Sequence, residues 1–488
     1  MPCCRSPRGH ITDSSYYSGS YTTPEARMVF CDQRRLQRWL DVEATLAGSQ
    51  AALGMIPADI ADRLRATAKL DLFDSEAIRN GIAETGHSLI PLLDEWQKTA
   101  GPEAARFIHY GATTQDIQDT AQSLEIKEIL AIVERDLGQI IGELAKLSTV
   151  HRRRVIIGRT HGQHALPTTL GLKMAVWLDE MLRHAERLQQ CGRRVLVSQL
   201  FGGVGTMSAL GDRQQELLED FSCRLGLAAP NTAWHTARDR IAEFVSCLGM
   251  LTGSMAKIAN EIYQLAKNET GELEEPFHMG KIGSTTMPHK RNPELCEQVV
   301  VLARLVKAAA GLGLDGLINE HERDYRAVRL EWAGLVDASL YSCGALALLK
   351  KILKGLIVHP ERINRNLDTS ACLISTEALM FIIGDKIGKP AAHKLLYEIS
   401  MEAYSSGVPL SELLSRHPMV KSSISEGEIR AATDPAAHIG SAVEQVDRIV
   451  ALAGEWLAVN KPNDQNKVVC PLADNGRCAA TDPGETTP

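Results

Sequence analysis

An all-α chain is what this sequence predicts, with long helices gathered into a bundle. Three observations carry that expectation. Apolar residues recur at three- and four-residue spacing through long proline-free stretches. Aromatics are 5% of the chain against 44% hydrophobic residues overall, so packing falls to Leu, Ala, Ile and Val, as suits helix on helix. Strand alternation is nowhere sustained: Val195 to Leu200 could extend, but Gly202, Gly203 and Gly205 break it.

The helices follow in order. Residues 29–53 place Leu36, Leu40, Val42 and Leu46 on one face, and Pro57 marks the boundary. Residues 124–150 repeat Leu124, Ile129, Ile132, Leu137, Ile140, Ile141, Leu144 and Leu147. Residues 168–190, 241–270, 293–318 and 330–356 continue the pattern. Helices beyond about 25 residues suggest a bundle that buries several faces, often against other chains. The chain divides by composition into a disordered tail (1–13), an N-terminal helical domain (14–111), a central long-helix domain (112–360), a C-terminal helical domain (361–460) and a second disordered tail (461–488).

At 488 residues the chain exceeds one ordinary domain. A net charge of −7 gives no basic excess for nucleic acid. No apolar run reaches the ~18 residues of a membrane span. Arg5 and Arg8 are not followed by the apolar stretch of a secretory signal. The 11 cysteines are scattered, with no CxxC, and are expected to be reduced thiols of a cytoplasmic protein, with Cys296 a helix residue.

Three distant segments are dense in polar groups. Residues 109–120 include Gly111, Thr113, Thr114 and Asp116. Read simply, the last three cap a helix; the same hydroxyls and N–H groups also suit a carboxylate. Residues 158–169 contain His161 and His164. Three residues apart they suggest a metal, but no third ligand at metal-site spacing accompanies them. His161, between Thr160 and Gly162, suits a proton donor instead. Residues 283–293, Gly-Ser-Thr-Thr-Met-Pro-His-Lys-Arg-Asn-Pro, hold glycine, hydroxyls, cations and an amide with one apolar side chain. A core has no use for such a string, and its groups can converge on an anion.

The eleven residues of the third segment closely resemble the signature loop of the fumarase/aspartase superfamily, in the version shared by adenylosuccinate lyases and 3-carboxy-cis,cis-muconate cycloisomerases. Segment 109–120 resembles its first motif, with Thr113-Thr114 where Thr-Ser is usual. Segment 158–169 resembles its second. The resemblance implies the superfamily's helical fold in three domains, a homotetramer with shared sites, a dicarboxylate substrate, and no metal or organic cofactor. It implies Ser284 as catalytic base and His161 as general acid. Lys290, Asn292, Thr113 and Thr114 would hold the doubly charged intermediate.

Further resemblances carry Gln199, in the glycine-rich segment 197–210, and Arg323, in Glu320-His321-Glu322-Arg323-Asp324-Tyr325, to substrate contacts. His87, in Thr85-Gly86-His87-Ser88, resembles a histidine that assists the acid. Residues 230–243, with His235 and Arg238, resemble the cycloisomerase branch. They read either as substrate contacts or as a solvent-facing helix start.

Two departures concern the nucleotide. Tyr21 is preceded by Ser20, where adenylosuccinate lyases carry an arginine that helps hold the phosphate. Their later Ser-Ser-x-Glu-Arg segment is replaced by residues 325–329, where Arg326 or Arg329 could compensate. The expected activity is an adenylosuccinate lyase-like elimination releasing fumarate. The alternatives are a 3-carboxy-cis,cis-muconate cycloisomerase and an inactive structural relative of the lens-crystallin kind.

Overall fold

The computed structural model describes residues 9–278, 280–370 and 374–460. The N-terminal helices are α1 (Pro24–Val29), α2 (Asp32–Ala52), α3 (Ala58–Thr67), α4 (Ser75–Thr85), α5 (Ile90–Ala100) and α6 (Pro102–Ala105). The middle of the chain holds α7 (Thr114–Val150), the hairpin β1 (Val155–Thr160) and β2 (Gln163–Thr169), α8 (Leu170–Val195), α9 (Gln214–Leu225) and α10 (Asp239–Leu265). Strand β3 (Leu273–Glu274), α11 (Glu294–Asp315), α12 (Tyr325–Lys354) and β4 (Ile357–Val358) follow, with β3 and β4 antiparallel. The last helices are α13 (Pro360–Ser370), α14 (Thr376–Ile387), α15 (Lys389–Ser406), α16 (Leu410–Arg416), α17 (Pro418–Ser423), α18 (Glu426–Thr433) and α19 (Ala442–Val459).

Helices α7, α8, α10, α11 and α12 share the largest core, built of residues such as Ile140, Met181, Leu251, Val306 and Leu346. α10 and α11 approach closely: a Cβ on Gly313 would sit 2.4 Å from Val245 Cγ2. Gly249 faces Ala310, so the two helices run antiparallel. A second core joins α2, α3, α5 and α9 to the first turns of α7 through Ile117 and Ala121. A third lies among α14, α15, α16 and α18. α19 leaves that third group and returns to the bundle, where Ala453 is buried and Trp456 packs on Gly138. The packing therefore cuts across the composition boundaries, at α9 and α19 and also at α1 and α13, whose Ala26, Val29 and Ile363 join the largest core.

Several expectations change. The helix expected over 29–53 breaks at Phe30 and Cys31 into α1 and α2. α7 begins ten residues before its apolar repeat, because its polar first turn is buried against other segments. The β1–β2 hairpin was not expected. Its turn is His161-Gly162, with φ of 52° and 77°, the left-handed pair that a tight two-residue turn demands. Residues 9–13, placed in a disordered tail, include a turn of 3-10 helix at Ile11–Asp13 with Thr12 buried. Residues 1–8 and 461–488 lie outside the described set. α10 and α12 do contain windows apolar and long enough to cross a membrane, but 61% and 67% of those windows are buried inside the protein, as core. Cys31, Cys191, Cys247, Cys296 and Cys343 are free. Cys223 is disulfide-bonded, against expectation.

The up-and-down bundle separates the motifs. α10 has 27 residues and so spans about 40 Å. At its start, Arg238 meets Asp119 of α7 and Glu331 of α12. Just beyond its end, Glu272 meets Arg159 of the hairpin. The first motif thus sits at one end of the bundle, and the second and third at the other.

Candidate active site

The first-motif wall is built on the start of α7. The amides of Thr114 and Gln115 open the helix with no partner among the described residues. Arg323 donates through Nη1 to Thr113 Oγ1 at 2.8 Å and through Nη2 to the carbonyl of Gly203 at 2.6 Å. Its Nε is buried without an acceptor among the described residues. His87 Nδ1 accepts from the amides of Leu89 and Ile90, at 3.3 and 3.1 Å, so its proton lies on Nε2, which points at Thr114 Oγ1 3.5 Å away. Hydroxyls, free amides, an imidazole N–H and a guanidinium therefore converge on one spot. That donor set suits a carboxylate.

Beneath this wall lies a buried network that the sequence reading missed. Asp116, fully buried, accepts from the amides of Thr113, Phe201 and Gly202 and from His235 Nε2, at 2.9–3.0 Å. One turn on, Asp119 accepts from Arg238 at 2.8 and 3.0 Å. Arg238 also binds Glu331, and Gln122 donates to Glu331. His235 and Arg238 are 2% and 1% exposed, so they are neither solvent-facing nor open to substrate. Gln199 is likewise buried: its amide donates to Asp119 and accepts from Trp234 N. It supports the wall from behind, and its expected role as a substrate contact is revised accordingly. The one available signal was spacing, since Asp116/Asp119 stand three apart on α7 and His235/Arg238 three apart just ahead of α10.

At the opposite end, the hairpin carries His161 at its exposed tip, in the left-handed conformation. A side chain held there without glycine is strained, which fits a residue placed for use. Gly158 lets the two strands close: a Cβ there would lie 2.7 Å from Leu166 O. His164 is shifted below its ordinary value by burial and by Arg159.

The signature loop is exposed and closed at its neck. Asn292 Nδ2 donates to Gly283 O at 2.6 Å. Within the loop, Ser284 Oγ accepts from the amides of Met287 and Thr286, at 3.0 and 3.3 Å. Two N–H groups aimed at that oxygen would favour an alkoxide there over the neutral hydroxyl. Lys290 is exposed and has no side-chain partner among the described residues. Arg291 is not free, because it binds Glu274 at 3.0 Å. Glu272 and Glu274 lie two apart on one extended segment, so they reach Arg159 of the hairpin and Arg291 of the loop from the same side. Tyr21 lies at this end too. Its carbonyl abuts Gly344, and Ser20 O accepts from Gln298 in the second turn of α11.

Among the candidates, one chain thus brings together Thr113, Thr114, His87 and Arg323. Arg329 is close by, exposed, with its guanidinium 5.4 Å from the Tyr325 ring. His161, Ser284, Lys290, Asn292 and Tyr21 belong to the far end. Arg326, a candidate to compensate for the missing phosphate contacts, is tied to Asp324 and Glu320.

Residues 19–307 match the family described as Lyase, and residues 372–449 match the one described as Adenylosuccinate lyase C-terminus. The chain belongs to the fumarase/aspartase superfamily of lyases. Within the superfamily it is 39% identical to the N-acetyl-S-(2-succino)cysteine lyase of Dickeya dadantii, over 91% of this chain and 98% of the relative. It is 38% identical to the adenylosuccinate lyase of Pyrococcus abyssi, over 88% and 96%. The crystal structure of 3-carboxy-cis,cis-muconate lactonizing enzyme from Pseudomonas putida superposes with a TM-score of 0.85 at 34% identity, covering 91% of this chain and all of that one. As a superfamily lyase, the chain is an enzyme whose polar motifs are present but divided between two ends of the subunit.

Proposed function

We propose that this lyase eliminates a substituent from a succinyl group and releases fumarate, with a thioether of succinate as its substrate. The observation that carries the chemistry is the pair of amides directed at Ser284 Oγ. The Ser284 alkoxide removes the proton from the carbon beside one carboxylate. Lys290 and the donors of the first-motif wall hold the two substrate carboxylates, one of them gaining charge as an aci-carboxylate. The electron pair then forms the double bond as the carbon–sulfur bond breaks. His161 delivers a proton to the departing sulfur, and Ser284 returns its own to solvent. Asn292 holds the loop neck. Gln199 acts from behind the wall.

Because Thr113 and Ser284 stand at opposite ends of a bundle about 40 Å long, a complete site requires other copies of the chain. A homotetramer that brings the 113–114 wall, a 161 tip and a 284 loop together from three subunits meets that need.

The leaving group follows from charge. Ser20 replaces an arginine and Arg326 is neutralised by two carboxylates, so a phosphate would find Arg329 as the one uncommitted cation of the two expected to compensate. The relative at 39% identity is named for a succinylated cysteine, which needs no phosphate holder. The cycloisomerase reading is favoured by the TM-score of 0.85, but a lactonisation does not use His161 as the acid for a leaving group. Purified protein should be given S-(2-succinyl)-N-acetylcysteine, adenylosuccinate and 3-carboxy-cis,cis-muconate in parallel. Fumarate and free thiol should appear from the first fastest. Ser284→Ala should lower that turnover by several orders of magnitude with the assembly intact. Unchanged turnover would remove Ser284 from the mechanism.

A further inference from the structure

We infer that Asp116 and His235 are a positioning pair for the substrate carboxylate, acting through the first-motif wall without touching the substrate. This rests on the lyase reading above. The wall is assembled from three segments remote in sequence: the start of α7, the turn at 201–203 and the loop at 320–325. Each has its own freedom, and one buried carboxylate joins the first two.

Asp116 is 0% exposed, and all four of its recorded partners are N–H donors. A carboxylate with four N–H donors around it accepts at every position. Its bond to Thr113 N fixes the backbone that aims Thr113 Oγ1. Its bonds to Phe201 N and Gly202 N fix the turn whose carbonyls at Gly202 and Gly203 receive Arg323. Arg323 Nη1 then closes the circuit on Thr113 Oγ1. Asp116 thus sets both the hydroxyl and the guanidinium that would face a carboxylate, and it occupies the Thr113 amide so that the next two amides of α7 stay open.

His235 supplies the fourth bond. The carboxylate can only accept, so His235 Nε2 carries the proton. The His235 carbonyl accepts from Gln115 Nε2 at 2.9 Å, which orients the second residue of α7 as well. Three residues along, Arg238 grips Asp119 in the same register, and Gln199 bridges Asp119 to Trp234. Arg238–Asp119 secures the helices. Asp116–His235 transmits that rigidity to the wall. A shared 116/119–235/238 spacing accounts for both.

The test compares full-length variants at two positions of α7 and at His235. Asp116→Asn puts an amide N–H among three backbone N–H groups, so at least one contact is lost or repelled. Its KM for the thioether should rise about tenfold or more, with kcat falling less, and binding of fumarate measured by calorimetry should weaken by the same factor. Asp136→Asn is the control: Asp136 is a buried carboxylate 20 residues on, about 30 Å along α7. It should lower the thermal midpoint without moving KM or fumarate affinity. His235→Gln keeps a donor that can reach Asp116, and His235→Ala does not. The alanine variant should raise KM and the glutamine variant should restore it, which decides the matter even if Asp116→Asn does not fold. Fumarate affinity within twofold of wild type in Asp116→Asn, or equal behaviour of the two His235 variants, would overturn the assignment. Calorimetry needs no turnover, so an inactive wild type that binds fumarate would sink the substrate reading and leave this one standing.

Discussion

Gly283→Ala offers a sharp test of the signature loop, because its effect can be worked from one distance. A Cβ at residue 283 would lie 2.2 Å from Lys290 O, where ordinary contact begins at 3.4 Å. The neck must therefore open by 1.2 Å, the difference of those two distances. The obstacle is backbone, so no side chain can simply turn aside. An opening of that size carries the Asn292–Gly283 hydrogen bond from 2.6 Å beyond the 3.5 Å limit of such a bond. That loss costs about 1 kcal/mol. It also displaces Lys290 relative to Ser284 by about 1 Å, a misplacement that can cost on the order of 100-fold in rate. The loop is exposed and outside all three cores, so global stability should hardly respond. The assay is kcat/KM beside a thermal melt of the same preparation. The expected result is a loss of roughly 30- to 300-fold in kcat/KM, with an unchanged melting midpoint. A kcat/KM within threefold of wild type would refute the argument, since the neck would then not set the loop geometry.

Other expectations concern the acid, the network and pH. His161→Gln should slow release of an amine leaving group by roughly 100- to 1000-fold, but of a thiolate by only about tenfold, since a thiol of pKa near 8.5 departs with less help; equal losses on the two substrates would mean His161 is not the leaving-group acid. Arg238→Met strands two buried carboxylates and should cost about 3–5 kcal/mol in denaturant unfolding, and a loss below about 1 kcal/mol would show the network to be weakly coupled. Burial alone would lower the imidazole of His109, but the hydrogen bond and charge of Glu43 at 2.6 Å, with Asp116 adding, leave it raised. A raised imidazole stabilises the fold fully below its unfolded value of about 6.5, and that contribution is lost as pH climbs through the raised one. The melting midpoint should therefore decline across that window in the wild type and flatten in His109→Gln; parallel pH profiles would contradict this.

Much of the fold was legible because it is written locally. The repeat through 124–150 and the stretches at 241–270, 293–318 and 330–356 became α7, α10, α11 and α12, shifted only at their ends. The hairpin escaped notice because its strands are six and seven residues long and Gly158 interrupts their alternation. The break at Phe30 and Cys31 has no proline or glycine beside it to mark it. Of the candidate site, the exposed groups could be named from motifs, whereas Asp116 read as an ordinary cap and Asp119 drew no reading at all. Their partners lie at 201, 202, 235 and 238, and no local pattern links positions that far apart.

From residue order alone came the helical class, the three polar motifs and the chemical type of each group, since periodicity and side-chain chemistry are properties of short stretches. Tertiary structure alone decided which of those groups are spent and which are free: Gln199, His235 and Arg326 are consumed by neighbours, while Lys290 stands open. It also decided where the motifs stand. Antiparallel helices of fixed rise carry the chain from one end of the bundle to the other, so Thr113 and Ser284 face apart within a subunit, and that separation follows from packing direction, which the order of residues does not display.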